Sequence, residues 1–129
     1  MYPKELLKNE DKIAKACTKN ARISLKSATI VCRAVRKQKY VVKAIKFLED
    51  LLEKKVSIHG KYYTNTAKEL LKFLNSAIKN AEYKKLNKEK LVIEYLASSK
   101  GQTFYRSRRK SGFGGRMKST HLSIILREI

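Results

Sequence analysis

Acidic residues are scarce in this sequence of 129 residues: Asp and Glu number 11 against 31 Lys and Arg, so the formal net charge is +20. A small domain stays soluble with a net charge of magnitude about 2–8, and a larger excess adds self-repulsion. The scarcity of acid therefore predicts a polyanionic partner, which is either a nucleic acid or an anionic membrane surface.

Long apolar runs are also lacking. No stretch approaches the roughly 18 consecutive apolar residues that a membrane span requires. Residues 1–20 alternate apolar and charged side chains and lack the apolar segment of a secretory signal. We therefore expect no membrane insertion, and a nucleic acid is the favoured partner.

The sequence contains too few cysteine and histidine residues to form most metal-binding or catalytic sites. Cys17 and Cys32 do not form a CxxC motif, and His59 and His121 are isolated, so we expect no metal site. The two thiols are expected to stay reduced in the cytosol, with Cys32 as a small core residue. No acidic pair is spaced for general acid–base work, and no GK[ST] follows the glycines at 112–115. These absences predict that the protein is not an enzyme and that it binds no cofactor.

The basic residues are concentrated in two windows that contain no acid. Residues 12–48 hold 11 Lys and Arg, and residues 100–127 hold eight. Acids and bases mix between the windows, as on an ordinary solvated surface. The segment between the two cationic windows is close to neutral. We therefore expect the two windows to form two sides of one surface that binds the partner.

Apolar periodicity predicts three helices. The first follows Ser24, a favoured N-cap residue, and ends near residue 36. The second covers about 40–53. The third begins at Thr66, which with Glu69 has the spacing of a capping box, and ends near residue 81.

After residue 86 the apolar period changes from helical to alternating. Leu91, Ile93 and Tyr95 alternate with other residues, and a similar pattern covers 122–126, so two strands are predicted. The glycines at 112–115 suit the turn of a hairpin. The predicted fold is α+β, with three helices packed on a small antiparallel sheet and a long protruding β-hairpin at about 100–120. We expect residues 1–14 to form an N-terminal extension and 15–129 a single domain.

The middle of this hairpin, residues 102–118, has few apolar side chains with which to join a core. Ordering a residue costs about 1–2 kcal/mol, and little burial within the domain offsets that cost here. A partner outside the chain must therefore hold the arm, and its basic residues predict phosphate. Phe104, Tyr105 and Phe113 are candidates to stack on splayed bases.

Several segments resemble a known family when taken in order. They are Arg22–Ala28 (RISLKSA), Leu74–Glu82 (LNSAIKNAE) and Ser119–Leu126 (STHLSIIL), with LVIE at 91–94 between them. From about residue 15 to the end, the chain resembles the universal large-subunit ribosomal protein family numbered twenty-two in bacteria and seventeen in eukaryotes. It resembles a shortened form of the archaeal and eukaryotic type.

This resemblance implies a structural constituent of the large ribosomal subunit, located in the cytoplasm. Such a protein binds large-subunit rRNA and supports assembly, and its β-hairpin lines the nascent-peptide exit tunnel. The implied partners are large-subunit rRNA, neighbouring ribosomal proteins and the nascent peptide at the hairpin tip. No homo-oligomer is expected.

The expected site residues belong to the body and to the arm. The expected rRNA-binding residues are Lys19, Arg22, Lys26, Arg33, Arg36, Arg106, Arg108, Arg109, Lys110, Arg116, Lys118 and His121. The resemblance places the tunnel tip at Arg108, Arg109, Lys110, Ser111, Gly112, Phe113, Gly114, Gly115 and Arg116.

A basic architectural DNA-binding protein is the alternative. Three helices and a basic β-arm could grip duplex DNA. However, no helix–turn–helix spacing is evident, and the basic residues are spread over helix, loop and arm rather than along one recognition helix.

Overall fold

Three α-helices pack on a three-stranded antiparallel sheet from which a two-stranded arm extends. The computed structural model describes residues 2–107, 110–112 and 114–129. In chain order the elements are β1 (Ile13–Ala21), α1 (Leu25–Lys37), α2 (Val41–Leu52), α3 (Thr64–Tyr83), β2 (Leu91–Lys100), β3 (Phe104–Tyr105), β4 (Arg116–Met117) and β5 (Thr120–Glu128).

The last strand, β5, is the centre of the sheet. The strand order is β1-β5-β2, and both pairs are antiparallel. Ile124 lies opposite Ala16 on one side and opposite Leu96 on the other. All side chains from Leu122 to Leu126 are buried, as in a strand that is paired on both edges and covered on both faces. The predicted fold class is confirmed.

The helices bury the faces that their apolar periodicity predicted. α3 packs on β1, α1 packs on β2, and α2 packs against α3. Val31, Leu48 and Leu74 are fully buried where these elements meet.

Among the described residues, no helix combines the length and the apolarity that crossing a membrane requires.

The opposite face of the sheet is partly covered by the segment before β1. The Tyr2 hydroxyl donates to the carbonyl oxygen of Ala16 at 2.7 Å, and its ring packs edge-on against Tyr95 with 6.4 Å between centroids. Burial raises the pKa of Tyr2. β1 begins at Ile13, which is fully buried, so the last two residues of the predicted extension lie in a strand. The division into 1–14 and 15–129 stays a prediction.

Three local features differ from the sequence-based expectation. β1 was not predicted. α3 begins at Thr64, and its N-cap Tyr63 makes no side-chain capping bond, so the capping box at Thr66 is wrong: Thr66 is a buried residue inside the helix. A bulge in β2 between Ile93 and Tyr95 shifts the alternation, and the core side chain after it belongs to a later residue of the strand, Leu96.

Leu74→Ala tests the phase of α3. We expect a loss of about 2–5 kcal/mol in the free energy of unfolding, because the fully buried Leu74 leaves a cavity when it is truncated. Denaturant titration of the free protein measures the loss. Lys79→Ala, on the exposed side of the same helix, is the control and should change stability by less than about 0.5 kcal/mol. An unchanged midpoint for Leu74→Ala would contradict the packing described here.

Candidate nucleic-acid interface

The arm continues from β2 and β5 beyond the edge of the sheet. Phe104 pairs with Met117 and Tyr105 with Arg116, which makes a ladder of two residue pairs. Among residues 102–107, 111, 112 and 114–118, whose exposure the structure describes, none is buried. The described part of the arm therefore adds nothing to the hydrophobic core, as its composition predicted.

Asn20 ties the root of the arm to β1. Its backbone is in the left-handed region at φ 55°, which asparagine tolerates better than most residues. Its N–H donates to Nδ1 of His121 at 3.1 Å. Its side-chain Oδ1 accepts from the backbone N–H of Gln102 at 3.0 Å and lies 3.4 Å from the Ser119 hydroxyl oxygen. One side chain thus contacts both strands of the arm; we call this set of bonds the Asn20 bridge.

Further hydrogen bonds join the two strands of the arm at its root and attach β5 to the body. The backbone N–H of Gly101 donates to the carbonyl oxygen of Ser119 at 3.0 Å, and the Ser119 hydroxyl donates to the carbonyl oxygen of Gln102. A Cβ on Gly101 would lie 2.9 Å from the backbone carbon of Ser119, so a larger residue does not fit here. The buried Thr120 hydroxyl donates to the carbonyl oxygen of Ile23 at 2.9 Å, which fixes β5 against the turn between β1 and α1.

Two adjoining cavities lie around this root, and we call them together the arm-root cleft. One, of about 390 Å³, lies between the start of α1 and the arm. The other, of about 350 Å³, lies between the β1–α1 turn and the arm. Both share four lining residues, Ser24, Arg116, Met117 and Lys118.

The lining of the arm-root cleft is strongly cationic. Six basic residues contribute to it, namely Arg22, Lys26, Lys100, Arg106, Arg116 and Lys118. Neither described lining contains a carboxylate, and within the described part of the chain none of the six basic residues is in an ion pair. α1 also begins here without an acidic residue in its first turn and without a side-chain cap from Ser24. The potential at this surface therefore favours anions.

The structure brings together five of the predicted rRNA-binding residues in the arm-root cleft, from both acid-free windows: Arg22, Lys26, Arg106, Arg116 and Lys118. This proximity agrees with the single footprint that the charge pattern predicts.

Other predicted residues lie elsewhere. Arg33 lines a separate cavity of about 410 Å³ with His59. Lys19 and Arg36 are exposed and are outside the lining of the arm-root cleft. His121 is half-buried, and its Nδ1 is occupied by the Asn20 N–H, so the structure gives it a structural contact.

The predicted tunnel tip is described only in part. Arg108, Arg109 and Phe113 lie outside the described residues. A 3-10 turn covers Lys110–Gly112 and so includes Ser111, and the remaining described tip residues Gly114, Gly115 and Arg116 lead back into the arm. Gly114 has φ 73°, which favours glycine.

Sequence reasoning missed Lys100 and Asn20 as parts of this site. Lys100 is the first residue of the second acid-free window, so the charge pattern contained its signal. Asn20 gave no signal, because its partners Gln102 and His121 lie 82 and 101 positions away.

Burial raises the pKa of Cys32 to about 12, in keeping with a core thiol. In the described part of the chain, no three His, Cys, Asp or Glu side chains are placed to hold a metal.

Asn20→Gly tests the Asn20 bridge. Glycine adopts the positive φ without strain but lacks the Oδ1 acceptor, so the change removes the side-chain contacts of the bridge and keeps the backbone N–H bond to His121. We expect the Gln102 amide to exchange with solvent about 2–10-fold faster, since a net hydrogen bond is worth roughly 0.5–1.5 kcal/mol. Hydrogen exchange followed by NMR measures it. Asn75→Gly, at an exposed position of α3, is the control and should leave the Gln102 amide unchanged. Equal exchange in both variants would show that the bridge does not hold the root.

Comparison with known proteins agrees with this architecture. Residues 16–127 match the family described as Ribosomal protein L22p/L17e. The chain is 35% identical to the large ribosomal subunit protein uL22 of Methanocaldococcus jannaschii, over 93% of this chain and 90% of the relative. It is 34% identical to the uL22 protein of Ignicoccus hospitalis, over 95% of this chain and 92% of the relative. Since the match covers nearly the whole described fold, arm included, the chain belongs to the Ribosomal protein L22p/L17e family.

Proposed function

We propose that this protein is a structural constituent of the large ribosomal subunit in the cytoplasm and that it has no enzymatic role. Membership of a ribosomal protein family supports this proposal. The relatives reported above are named as proteins of the large ribosomal subunit. Its partners are then large-subunit rRNA and neighbouring ribosomal proteins.

The direct partner of the basic surface is rRNA. The arm-root cleft is the observation that carries this proposal, because it gathers basic side chains from the β1–α1 turn, α1, β2 and the arm without a described carboxylate. Uncompensated cations at one surface repel each other, and phosphates relieve that repulsion. The contacting residues extend from the cleft over α1 through Arg33 and Arg36 and along the arm.

The distal arm reaches beyond the body and contributes to the wall of the nascent-peptide exit tunnel. The absence of buried side chains among the described arm residues supports a role outside the domain's own core. Its tip then faces the nascent peptide, with the basic residues of the tip contacting rRNA or the peptide. The resemblance to the family assigns this tip to residues 108–116.

The salt dependence of binding tests the rRNA proposal. Affinity for large-subunit rRNA should fall by about 10³-fold or more between 50 and 200 mM salt if six or more phosphates are neutralised. Lys26→Ala should reduce the slope of log affinity against log salt by about one and leave the melting temperature unchanged, because Lys26 is exposed. Filter binding or fluorescence anisotropy measures both.

Two controls complete this experiment. Lys79→Ala should leave the slope unchanged, since Lys79 lies on α3 away from the arm-root cleft. Duplex DNA at matched salt should bind more weakly than rRNA. Equal or tighter binding to DNA would favour the architectural DNA-binding alternative, and an affinity independent of salt would contradict a phosphate-binding surface.

Shortening the arm tests the tunnel proposal. Residues 107–115 are replaced by Asn-Gly, which closes a tight hairpin. The stability of the free protein should change by less than about 1 kcal/mol, because no described residue of this segment is buried. The variant should still co-sediment with large subunits, and chemical cross-links from a stalled nascent peptide to this protein should disappear. Unfolding of the body, or cross-links that persist, would contradict the proposal.

A further inference from the structure

We propose that the arm-root cleft binds one unpaired ribonucleotide, with the base against Phe104 and the flanking phosphates on the surrounding lysines. This inference rests on the proposed rRNA binding and adds to it the structural class of RNA that this part of the surface selects. A bulged or looped nucleotide fits the cleft, and a continuous duplex does not.

The shape of the cleft is the first argument. Each of its two cavities, of about 390 and 350 Å³, lies at the lower end of the size range of small-ligand pockets, about 300–1,000 Å³. An RNA duplex presents phosphates on a convex surface and keeps its bases stacked inside. Only a nucleotide that leaves the stack can enter concavities of this size.

The two cavities differ in the chemistry of their walls. The cavity on the β1–α1 side contains Phe104 and the guanidinium groups of Arg22 and Arg106. Aromatic rings and guanidinium planes are the groups on which proteins stack splayed bases. Phe104 is 40% exposed, so a base laid on its ring would remove apolar surface from water.

The cavity on the α1 side adds two lysines to the Arg116 and Lys118 that line both cavities. Lys26 and Lys100 line this cavity alone, and Lys118 lies between the two cavities. If a base occupies the cavity on the β1–α1 side, the phosphates on either side of that base would then meet positive charge in the cavity on the α1 side. The charges of the cleft are thus arranged for a bent strand rather than for an isolated base.

The cleft is formed by the protein alone. The Asn20 bridge holds the outgoing strand of the arm at Gln102, and the Thr120 hydroxyl holds β5 to Ile23 in the β1–α1 turn. The Gly101 N–H joins the two strands of the arm through the carbonyl oxygen of Ser119. Because these bonds hold the root of the arm to β1 and to the β1–α1 turn without RNA, the ordering cost at binding is reduced.

The experiment compares two RNA duplexes of identical sequence, one with a single unpaired adenosine at its centre and one fully paired. The wild-type protein should bind the bulged duplex about tenfold more tightly. Phe104→Ala should lose most of this preference, about 5- to 10-fold in affinity for the bulged duplex, and almost nothing for the paired one, since stacking on one base is lost. Phe104→Tyr keeps the stacking face and should bind as the wild type does.

Tyr83→Ala is the control. Tyr83 is an aromatic residue at the end of α3, is 91% exposed and lies outside the described lining of the cleft. It should leave the preference for the bulged duplex unchanged. Melting curves of each variant show that the body is folded, and neither side chain belongs to the core.

The outcomes separate the two proposals. If the wild-type protein binds both duplexes equally well and Phe104→Ala has no effect, the nucleotide site is overturned while rRNA binding stands. If an abasic bulge binds as tightly as the adenosine bulge, the base is not recognised, and the site is likewise overturned. If neither these duplexes nor large-subunit rRNA is bound, the proposed function itself fails.

Discussion

The pairing of β5 with strands on both of its sides is the constraint on which the rest of the structure depends. β5 aligns β1 and β2, and the helices pack on the sheet that results. The arm then extends from β2 and β5, so its direction follows from the registers of that sheet. The β1–α1 turn is bound to β5 through Thr120, which places the first acid-free window beside the second.

Apolar burial and positive charge occupy separate parts of this molecule. The core side chains lie between the helices and one face of the sheet, whereas the basic groups collect around the arm root. Neutral groups hold that root together: backbone amides, an asparagine, a serine and the acceptor nitrogen of a histidine. A carboxylate at this place would bind the root equally well but would neutralise the cations that attract phosphate. The neutral bridge preserves the full positive potential of the cleft.

The helices and the fold class could be predicted from the sequence because their signals are local. Apolar residues recur every three or four positions in each helix, and Leu74 is buried as that period requires. The first strand was missed because Ile13–Ala21 alternates small and basic residues weakly, and its pairing partners lie about 100 positions away. The Asn20 bridge depends on equally distant residues, so no window of sequence contains it. Five of the six basic residues of the cleft were predictable for the opposite reason, since charge accumulates in continuous windows of sequence.

The strand order also determines at which stage of synthesis the arm-root cleft can form. Among the described residues, β1 and β2 have no register with each other, and each joins the sheet through β5, which is synthesised after both. The three helices can form earlier, but pairings between such distant segments form slowly and leave strand edges exposed meanwhile. β4, the Thr120 contact and His121, the partner of Asn20 on β5, belong to the same late part of the chain. The cationic cleft therefore assembles only after β5 has been synthesised, at the same late stage as the sheet.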